Sequence, residues 1–403
     1  MLRALLAPEA QLLLLCGGGP ENDPAIRELL ARDLDWGALL ELAQREHAAP
    51  AIVRRLEALC GNGELPAGTE VLQRLAKVTT FKMMYLQRRL AETVAALDRA
   101  GIKGVMLKGA ALATRVYGSF AERPMTDIDL LVPADRARDA LRVLLATGWL
   151  WRPDRDQDGN FDHLHHLPAL LDARGMEVSL ELHTALLPPG QPFRLDAADV
   201  LDAAVPVSGM PGAWVPAPRH MLLHTCIHFA WGHLFRKGAW NAFRDVQSAS
   251  RVLSVDWSEF IAAADASRAS TCCYWTFRLA RDLMGVEIPS HVLQALRPPL
   301  PELVLRRLAR HFTLILMPSG VNCPSVTVRR LMWSAGIQPR WSGHGGVRRW
   351  QLLELLPEHR AARGLPPASA GGGVAARLPS RAGWLQYCRN VLFEGQSPWS
   401  PNS

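Results

Sequence analysis

The chain has 403 residues, of which 49% are hydrophobic and 21% are charged, and its formal net charge is +7. This composition excludes a wholly disordered chain and provides enough apolar side chains for a sizeable core of two or more domains. The seven cysteines form no C-x-x-C pair, which argues against a disulfide framework or a zinc–cysteine site and predicts a cytoplasmic protein.

The first hundred residues show helical periodicity. Residues 1–100 carry apolar side chains at three- and four-residue spacing, including one long pattern from 68 to 100 that stops at Gly101. The apolar run at 12–16 is too short to cross a membrane, so we interpret it as the buried face of a first helix and expect no membrane span. We predict an N-terminal helical region over residues 1–100.

The pattern changes after Gly101. Strand-like and helical runs alternate in the order strand (102–109), helix (110–118), strand (126–132), helix (134–149) and strand (176–186). This order predicts a small α/β core within residues 101–200. The helical period then returns, which predicts a helical domain over residues 201–300 that closes over the cleft of that core. The predicted fold class is α+β, with a small mixed sheet flanked by N-terminal and C-terminal helical domains.

The C-terminal quarter carries the basic character of the chain. Residues 301–403 contain 13 arginines, no lysine and four acids. Residues 364–380 are rich in proline, glycine and alanine and predict a linker or disordered stretch, and residues 383–395 predict a short helix packed on the body. We therefore predict a basic, partly disordered C-terminal region that could contact nucleic acid or a membrane surface. A solvated, arginine-rich surface is the alternative that we favour.

Two acids precede an apolar run in the second predicted strand. Asp127 and Asp129 are two residues apart and share one face, while Ile128 and Leu130 face the core. Adjacent carboxylates repel each other, and a divalent cation such as Mg²⁺ relieves the repulsion. Two such ions can activate an attacking group and stabilise a leaving pyrophosphate. A third carboxylate is expected from a neighbouring strand, and we predict Glu181.

Two positions upstream could contact phosphate groups. Lys108 and Gly109 lie at a predicted strand-to-helix turn, where glycine allows close backbone approach and a helix N-terminus favours an anion. Arg123 could reach the same phosphates through its guanidinium group. Less specific interpretations stay open: solvated acids at 127 and 129, an exposed strand acid at 181, a salt bridge from Lys108 to these same acids, and a surface arginine at 123. Glu177 is the substitute for Glu181.

The histidines allow two interpretations. His220, His224 and His228 recur every four residues on one predicted helix, and a second cluster comprises His163, His165 and His166. No cysteine or acid completes a zinc set at a recognisable spacing, so helix packing is the favoured account of the first group. His228 could still line an acceptor pocket. His183 is a second candidate for that pocket, and it could instead support Glu181 or be a polar strand end.

Three segments resemble the uncharacterised nucleotidyltransferase family, within the DNA polymerase beta-like nucleotidyltransferase superfamily. They are "LKGAAL", "RPMTDIDLLV" and "LELHTAL", in this order, and the resemblance extends over roughly residues 8–255. The sequence departs from the superfamily in two ways. Gly109 is followed by Ala110 where a serine is usual, and the gap from Gly109 to Asp127 is longer than the norm.

The resemblance implies a nucleotidyltransferase core whose site residues match these motifs. It implies that Asp127 and Asp129 are metal ligands, that Glu181 is the third carboxylate, and that Lys108 and Gly109 contact the nucleotide phosphates. It also implies a magnesium-dependent transfer of a nucleoside monophosphate to an acceptor, with release of pyrophosphate.

The predicted protein is therefore an enzyme, a nucleotidyltransferase that uses two Mg²⁺ ions and an NTP, with ATP as the expected donor. In this prediction Glu181 acts as base or third ligand, and Arg123 helps Lys108 to hold the triphosphate. The acceptor class stays open between a small molecule, a peptide and a protein. The alternatives are a catalytically inactive relative that binds nucleotide or a partner protein, and a nucleic-acid-binding protein that uses residues 301–403.

Overall fold

A computed structural model describes residues 2–61, 65–151, 165–317, 324–338 and 381–393. In these residues one mixed β-sheet is preceded and followed along the chain by helices, so the predicted α+β fold class is confirmed. The predicted linker at 364–380 and His163 lie outside the described residues.

In the described part of the N-terminal hundred residues there are five α-helices. They are α1 (Pro8–Gly17), α2 (Asp23–Leu30), α3 (Trp36–Arg45), α4 (Ala49–Cys60) and α5 (Glu70–Arg99). The apolar run in α1 is buried as predicted, with Leu12–Leu15 at most 1% exposed. The long helix α5 begins with an acid and ends with a base, as its macrodipole favours, and the chain leaves it at Gly101, whose φ is +65°.

Among the described residues the sheet has seven strands, and it brings the predicted acids to its centre. Its strands and intervening helices are β1 (Gly104–Met106), α6 (Lys108–Arg115), β2 (Asp127–Leu131), α7 (Ala137–Ala146), β3 (Trp149–Trp151), β4 (Leu170–Asp172), β5 (Ser179–His183), α8 (Ala197–Asp202), β6 (Val205–Pro206) and β7 (Ala213–Val215). The strand order is β3-β4-β5-β2-β1-β7-β6. β2 pairs with β5 in parallel and with β1 in antiparallel orientation, so β2 is a central strand.

Four of these strands have no counterpart in the sequence prediction, which proposed three. They are β3 and β4, which form an antiparallel pair beside β5, and β6 and β7, which extend the other edge next to β1. Each has only two or three residues, too few to show a two-residue alternation. The three predicted strands are all present, although each is shorter than its predicted run.

Helices dominate the remainder. They are α9 (Pro218–Ile227), continued by a π-helical turn at His228–Gly232, then α10 (Ala239–Val252), α11 (Trp257–Ala266), α12 (Ser270–Met284), α13 (Ser290–Leu296), α14 (Glu302–Leu316), α15 (Val326–Gly336) and α16 (Arg381–Leu392). The terminal helix predicted from the sequence is thus present as α16. No helix within the described ranges is long and apolar enough to cross a membrane.

One hydrophobic core joins the sheet to helices from both ends of the chain. It contains Leu12 of α1, Leu130 of β2, Phe243 of α10 and Phe312 of α14, none of them exposed to solvent. Ile128 and Leu130 are fully buried in this core, as predicted for the apolar face of β2. The packing therefore fixes the position of the opposite face of β2, which carries the two acids.

Candidate functional site

The register between β2 and β5 determines which acids meet. In this parallel pair Asp129 lies opposite Glu181, and Asp127 lies opposite Ser179. Paired residues and residues two apart share a face, so these carboxylates project from the same side of the sheet. The structure therefore brings the three predicted carboxylates to one face. Glu177, the substitute candidate, precedes β5, and its side chain is 96% exposed beside Lys82.

Asp129 is the most enclosed of these acids, and two donors hold one of its oxygens. The Nζ of Lys108 donates to Asp129 Oδ1 at 2.7 Å, and His183 Nε2 lies 2.8 Å from the same oxygen. His183 Nε2 is also 3.5 Å from Glu181 Oε2, so the imidazole lies between the two carboxylates. The salt bridge that the sequence left open for Lys108 is present.

The charges around this cluster shift the pKa values of its members in opposite directions. Burial alone would raise the pKa of Asp129, but the Lys108 ammonium and the His183 hydrogen bond more than offset it and hold that pKa below its ordinary value. Burial and then the neighbouring Asp129 carboxylate raise the pKa of Asp127. Chiefly through its contact with His183, Glu181 has a lowered pKa. The cluster thus keeps Asp129 and Glu181 ionised.

The turn that carries Lys108 is strained. Lys108 is the first residue of α6 and has a φ of +46°, a left-handed conformation that a residue with a Cβ rarely adopts. Such strain typically costs on the order of 1–3 kcal/mol and concentrates at functional sites. Gly109 follows in the first helical turn, where a Cβ would lie 3.3 Å from Met125 Cβ. The small residue therefore allows α6 to pack closely against the segment before β2.

A cavity opens on the other side of Lys108, between α6 and the helices α9 and α10. Its volume is about 110 Å³, and Lys108 belongs to its wall. His228, the predicted acceptor-pocket residue, also lines it, on the π-helical turn that follows α9. His183 does not line this cavity and belongs to the carboxylate cluster instead. Lys108 is thus shared by the two parts of the site.

Arg123 contacts a carboxylate that the sequence prediction did not consider. Its Nε and Nη2 donate to Asp245 Oδ1 and Oδ2 at 2.7 and 2.9 Å, and Tyr117 Oη donates to Oδ1 at 2.9 Å. Both Arg123 and Asp245 line the cavity. The bidentate pair fixes the guanidinium at the cavity wall, and its contact with a triphosphate stays a prediction. Asp245 follows Arg123 by 122 residues, so no local pattern could have revealed the pair.

Of the other histidines considered in the sequence, two lie beside the carboxylate cluster and two line the cavity. The rings of His165 and His166 lie 5.5 and 5.2 Å from that of His183, although no local pattern related the "HLHHL" segment to the acids. His224 and His228 line the cavity, and burial lowers the pKa of His224 to about 3. His220 is buried, as the helix-packing account expected. The imidazoles of the cavity are thus neutral at physiological pH.

The donor atoms of the cluster suit a divalent cation. One ligand atom each from Asp129, Glu181 and His183 lie within 4.8 Å of one another. Carboxylate oxygens suit Mg²⁺ and Mn²⁺, and an imidazole nitrogen is accepted more readily by Mn²⁺ than by Mg²⁺. The sequence left the role of His183 open between an acceptor pocket, support for Glu181 and a polar strand end, and the structure places it beside Glu181 and Asp129. Asp127 lies on the same face of the sheet beside the group.

The chain was compared with known families and proteins. The sequence model of a family described as uncharacterised nucleotidyltransferase matches residues 32–285, which is more than half of the chain. The match includes the sheet, the carboxylate cluster and the helices that line the cavity. Searches of the curated proteins and of the solved structures give no match.

Proposed function

The chain belongs to the uncharacterised nucleotidyltransferase family, and we propose that it is a metal-dependent enzyme that transfers a nucleoside monophosphate from an NTP to an acceptor, with release of pyrophosphate. The family supports nucleotidyl transfer as the general reaction. The observation that carries the proposal is the meeting of Asp129, Glu181 and Lys108 in one cluster, on elements far apart in the chain. Three carboxylates and one ammonium are the groups that such a transfer needs.

The carboxylates would hold the divalent cation, which supplies charge neutralisation at the phosphates and lowers the pKa of a bound hydroxyl when it is present. Asp129 and Glu181 lie opposite each other across the β2–β5 pair, and Asp127 extends the acidic face toward solvent. Glu181 is half-buried and ionised, so it can accept a hydrogen bond from an acceptor hydroxyl and orient it. We assign metal binding to these three acids.

The phosphates of the nucleotide would lie at the start of α6. The first backbone N–H groups of a helix have no partner within the helix, and they favour an anion together with the helix dipole. Lys108 adds an ammonium at the same point, with its side chain 23% exposed. Gly109, in the first turn, keeps this end of α6 free of a second side chain. ATP is the donor that we propose to test first.

The cavity beyond Lys108 is the proposed acceptor pocket. Asp245, the carboxylate in its wall, already accepts two hydrogen bonds from Arg123 and one from Tyr117. A cationic amine would therefore find no unpaired counter-charge there, whereas a hydroxyl could bond the neutral imidazole of His224 or His228. We propose a hydroxyl-bearing acceptor, from a small molecule or from a peptide or protein side chain.

The experiment that tests the proposal is a transfer assay with labelled ATP. The protein is incubated with Mg²⁺, ATP labelled at the α-phosphate, and a cell extract from which the labelled acceptor is then isolated. We expect wild-type protein to label an acceptor, and we expect Asp127→Asn and Asp129→Asn each to reduce labelling by at least about 100-fold, because each removes a charge from the metal-binding group.

The matched control is Asp139→Asn. Asp139 is an aspartate of α7 whose side chain is 42% exposed and pairs with Arg136 and Arg142, and its substitution leaves the metal-binding face unchanged. Labelling by this variant should equal that by wild type. If the Asp127 and Asp129 variants label the acceptor as well as Asp139→Asn does, the site assignment is wrong. If wild type binds nucleotide but labels no acceptor in any extract, the binding-only alternative replaces the enzyme.

A further inference from the structure

Lys108 makes contact with both parts of the site. Its Nζ lies 2.7 Å from Asp129 Oδ1, and the same side chain forms part of the cavity wall. Asp129 is 3% exposed, so this ion pair is largely shielded from water. An ammonium group at this position fills space that a metal ion at Asp129 would need. It also neutralises the negative charge that would attract the ion.

The charges of the cluster show why this position matters. Three carboxylates face one ammonium: Asp129 in direct contact, and Asp127 and Glu181 close enough to act on Lys108 electrostatically. His183 adds a hydrogen bond to the same oxygen of Asp129. Asp129, the most enclosed of the three carboxylates, is therefore already neutralised, and a divalent cation must compete with a positive charge for it.

We propose that Lys108 is an exchangeable counter-ion, which neutralises Asp129 while the site is empty and transfers to the phosphates when a nucleoside triphosphate binds. This inference rests on the proposed function, because the phosphates are the second partner of the ammonium. The exchange makes the binding of metal and nucleotide cooperative. Free metal binds weakly because Lys108 repels it, and nucleotide removes that repulsion by taking the ammonium away.

Two features of the structure favour such an exchange. Lysine presents one compact charge on a flexible stem, so a rotation about its side-chain bonds moves the ammonium without moving the backbone. Lys108 is itself the first residue of α6, where the phosphates would lie, so its ammonium group has only a short distance to move.

The test measures Mn²⁺ binding by electron paramagnetic resonance, which detects the free ion and needs no turnover. We expect wild-type protein without nucleotide to bind Mn²⁺ weakly, and Lys108→Met to bind it roughly tenfold more tightly or better, because the variant removes a unit positive charge within a few ångströms of the ligands. Lys108→Arg keeps the charge and should bind Mn²⁺ as weakly as wild type. Lys108→Gln repeats the neutral variant if Lys108→Met does not fold.

The second half of the experiment adds the non-hydrolysable analogue α,β-methylene ATP. In wild type the analogue should raise the affinity for Mn²⁺, and Mn²⁺ should raise the affinity for the analogue by the same factor, since coupling between two ligands is reciprocal. In Lys108→Met this factor should fall, because only direct contact between metal and phosphate remains to couple the ligands.

Two controls give the result its specificity. Lys103→Met also removes one positive charge, but Lys103 donates to the backbone of Leu201 and stacks on Trp214, so Mn²⁺ affinity should not change. Asp129→Asn should abolish Mn²⁺ binding in the Lys108→Met background, which locates the ion at this cluster. If Lys103→Met gives the same gain as Lys108→Met, the effect is general and the proposal is overturned.

The outcomes separate this inference from the proposed function. If Mn²⁺ binds equally well to wild type and to Lys108→Met, and Asp129→Asn abolishes binding, the counter-ion role is wrong while the metal site stands. If Mn²⁺ binds to neither protein, with or without the analogue, the metal site itself fails and both proposals fall. Tighter Mn²⁺ binding by Lys108→Met but not by Lys108→Arg, together with a smaller coupling factor in Lys108→Met, supports the exchange. An unchanged coupling factor would overturn it.

Discussion

Individual ionisable residues in this protein are stabilised by specific partners, or they are kept neutral by burial. Asp129 illustrates the first case, since Lys108 and His183 both contact its Oδ1. His311 of α14 illustrates the second: it is fully buried, and its Nδ1 lies 2.8 Å from the hydroxyl of Tyr387. Burial, followed by the charge of Arg329, lowers the pKa of His311 to about 3.

The lowered pKa of His311 predicts a loss of stability in acid. Its pKa is about 3 in the folded state and about 6.5 in the unfolded chain, so the unfolded state binds more protons between these values and stability falls as the pH falls through that window. From pH 7.5 to 5.5 this residue should cost about 1.4 kcal/mol of unfolding free energy. Urea unfolding at pH 7.5 and at pH 5.5 should show that His311→Gln loses about 1.4 kcal/mol less stability between these values than wild type does.

The control for this prediction is the exposed His291 of α13. His291→Gln should show the same loss of stability between pH 7.5 and 5.5 as wild type. An equal loss in wild type and His311→Gln would mean that His311 does not contribute to the acid sensitivity.

At the residue scale, the sequence predicted the acids but missed some of their partners. Side chains along a strand alternate between its two faces, so Asp127 and Asp129 share one face of their strand. The same alternation places Glu181 on the polar face of its own strand. The role of His183 was open, since the pattern shows the face that it shares with Glu181 but not the distance to Asp129. Asp245 could not be inferred, since its contact with Arg123 depends on how distant elements pack.

At the scale of elements, a buried ion pair joins the segment before β2 to helix α10. Arg123 and Asp245 have side chains only 13% and 3% exposed, and their contact is bidentate. Arg244, also on α10, donates to the backbone carbonyl of Glu122 at 2.6 Å. The sheet and the helix that lines the cavity are therefore connected next to the candidate site.

Removing one partner of this pair should destabilise the protein strongly. Asp245→Ala leaves the guanidinium of Arg123 buried without its carboxylate, and we expect a loss of about 3–5 kcal/mol in the free energy of unfolding, measured with urea. The double variant Arg123→Met with Asp245→Leu should lose less than the sum of the single changes, because it leaves no unpaired charge.

The control is Asp139→Ala, which removes an exposed ion pair with Arg136 and Arg142 and should cost less than about 1 kcal/mol. If Asp245→Ala costs no more than this control, the Arg123–Asp245 pair does not hold the two elements together.

The elements themselves were predictable where they were long or strongly patterned. The 30-residue helix α5 was predicted to within two residues at each end, because its apolar period repeats over many turns. The strands of two or three residues at both edges of the sheet were not predicted. Their positions depend on pairing with β5 and β1, which a local pattern does not contain.

At the scale of the whole molecule, the core extends beyond the part that the family match covers. Phe312 of α14 lies outside residues 32–285, but it is fully buried and its ring lies 4.6 Å from Phe235 and 4.9 Å from Trp275. Helix α14 is thus part of the same core as the helices near the cavity. The domain boundary predicted at residue 301 from the distribution of charge falls one residue before α14, a helix of this core. That boundary stays a prediction.

The contacts of Phe312 predict a large effect of its removal. Phe312→Ala should cost about 3–5 kcal/mol of unfolding free energy, because it leaves a cavity among aromatic rings. Phe393→Ala is the matched control, since that side chain is 65% exposed, and it should change stability by less than about 0.5 kcal/mol. Chemical denaturation of both variants checks this, and equal stabilities would contradict the account of a continuous core.

We propose that the carboxylate face of β2 and β5 catalyses the transfer of a nucleoside monophosphate. The most direct measurement compares ATP labelled at the α-phosphate with ATP labelled at the γ-phosphate in the transfer assay, with Mg²⁺ and the isolated acceptor. We predict that the acceptor gains the α-label alone, that the γ-label appears in pyrophosphate, and that Asp129→Asn abolishes both. Transfer of the γ-label to the acceptor, or equal α-label transfer by Asp129→Asn and wild type, would contradict it.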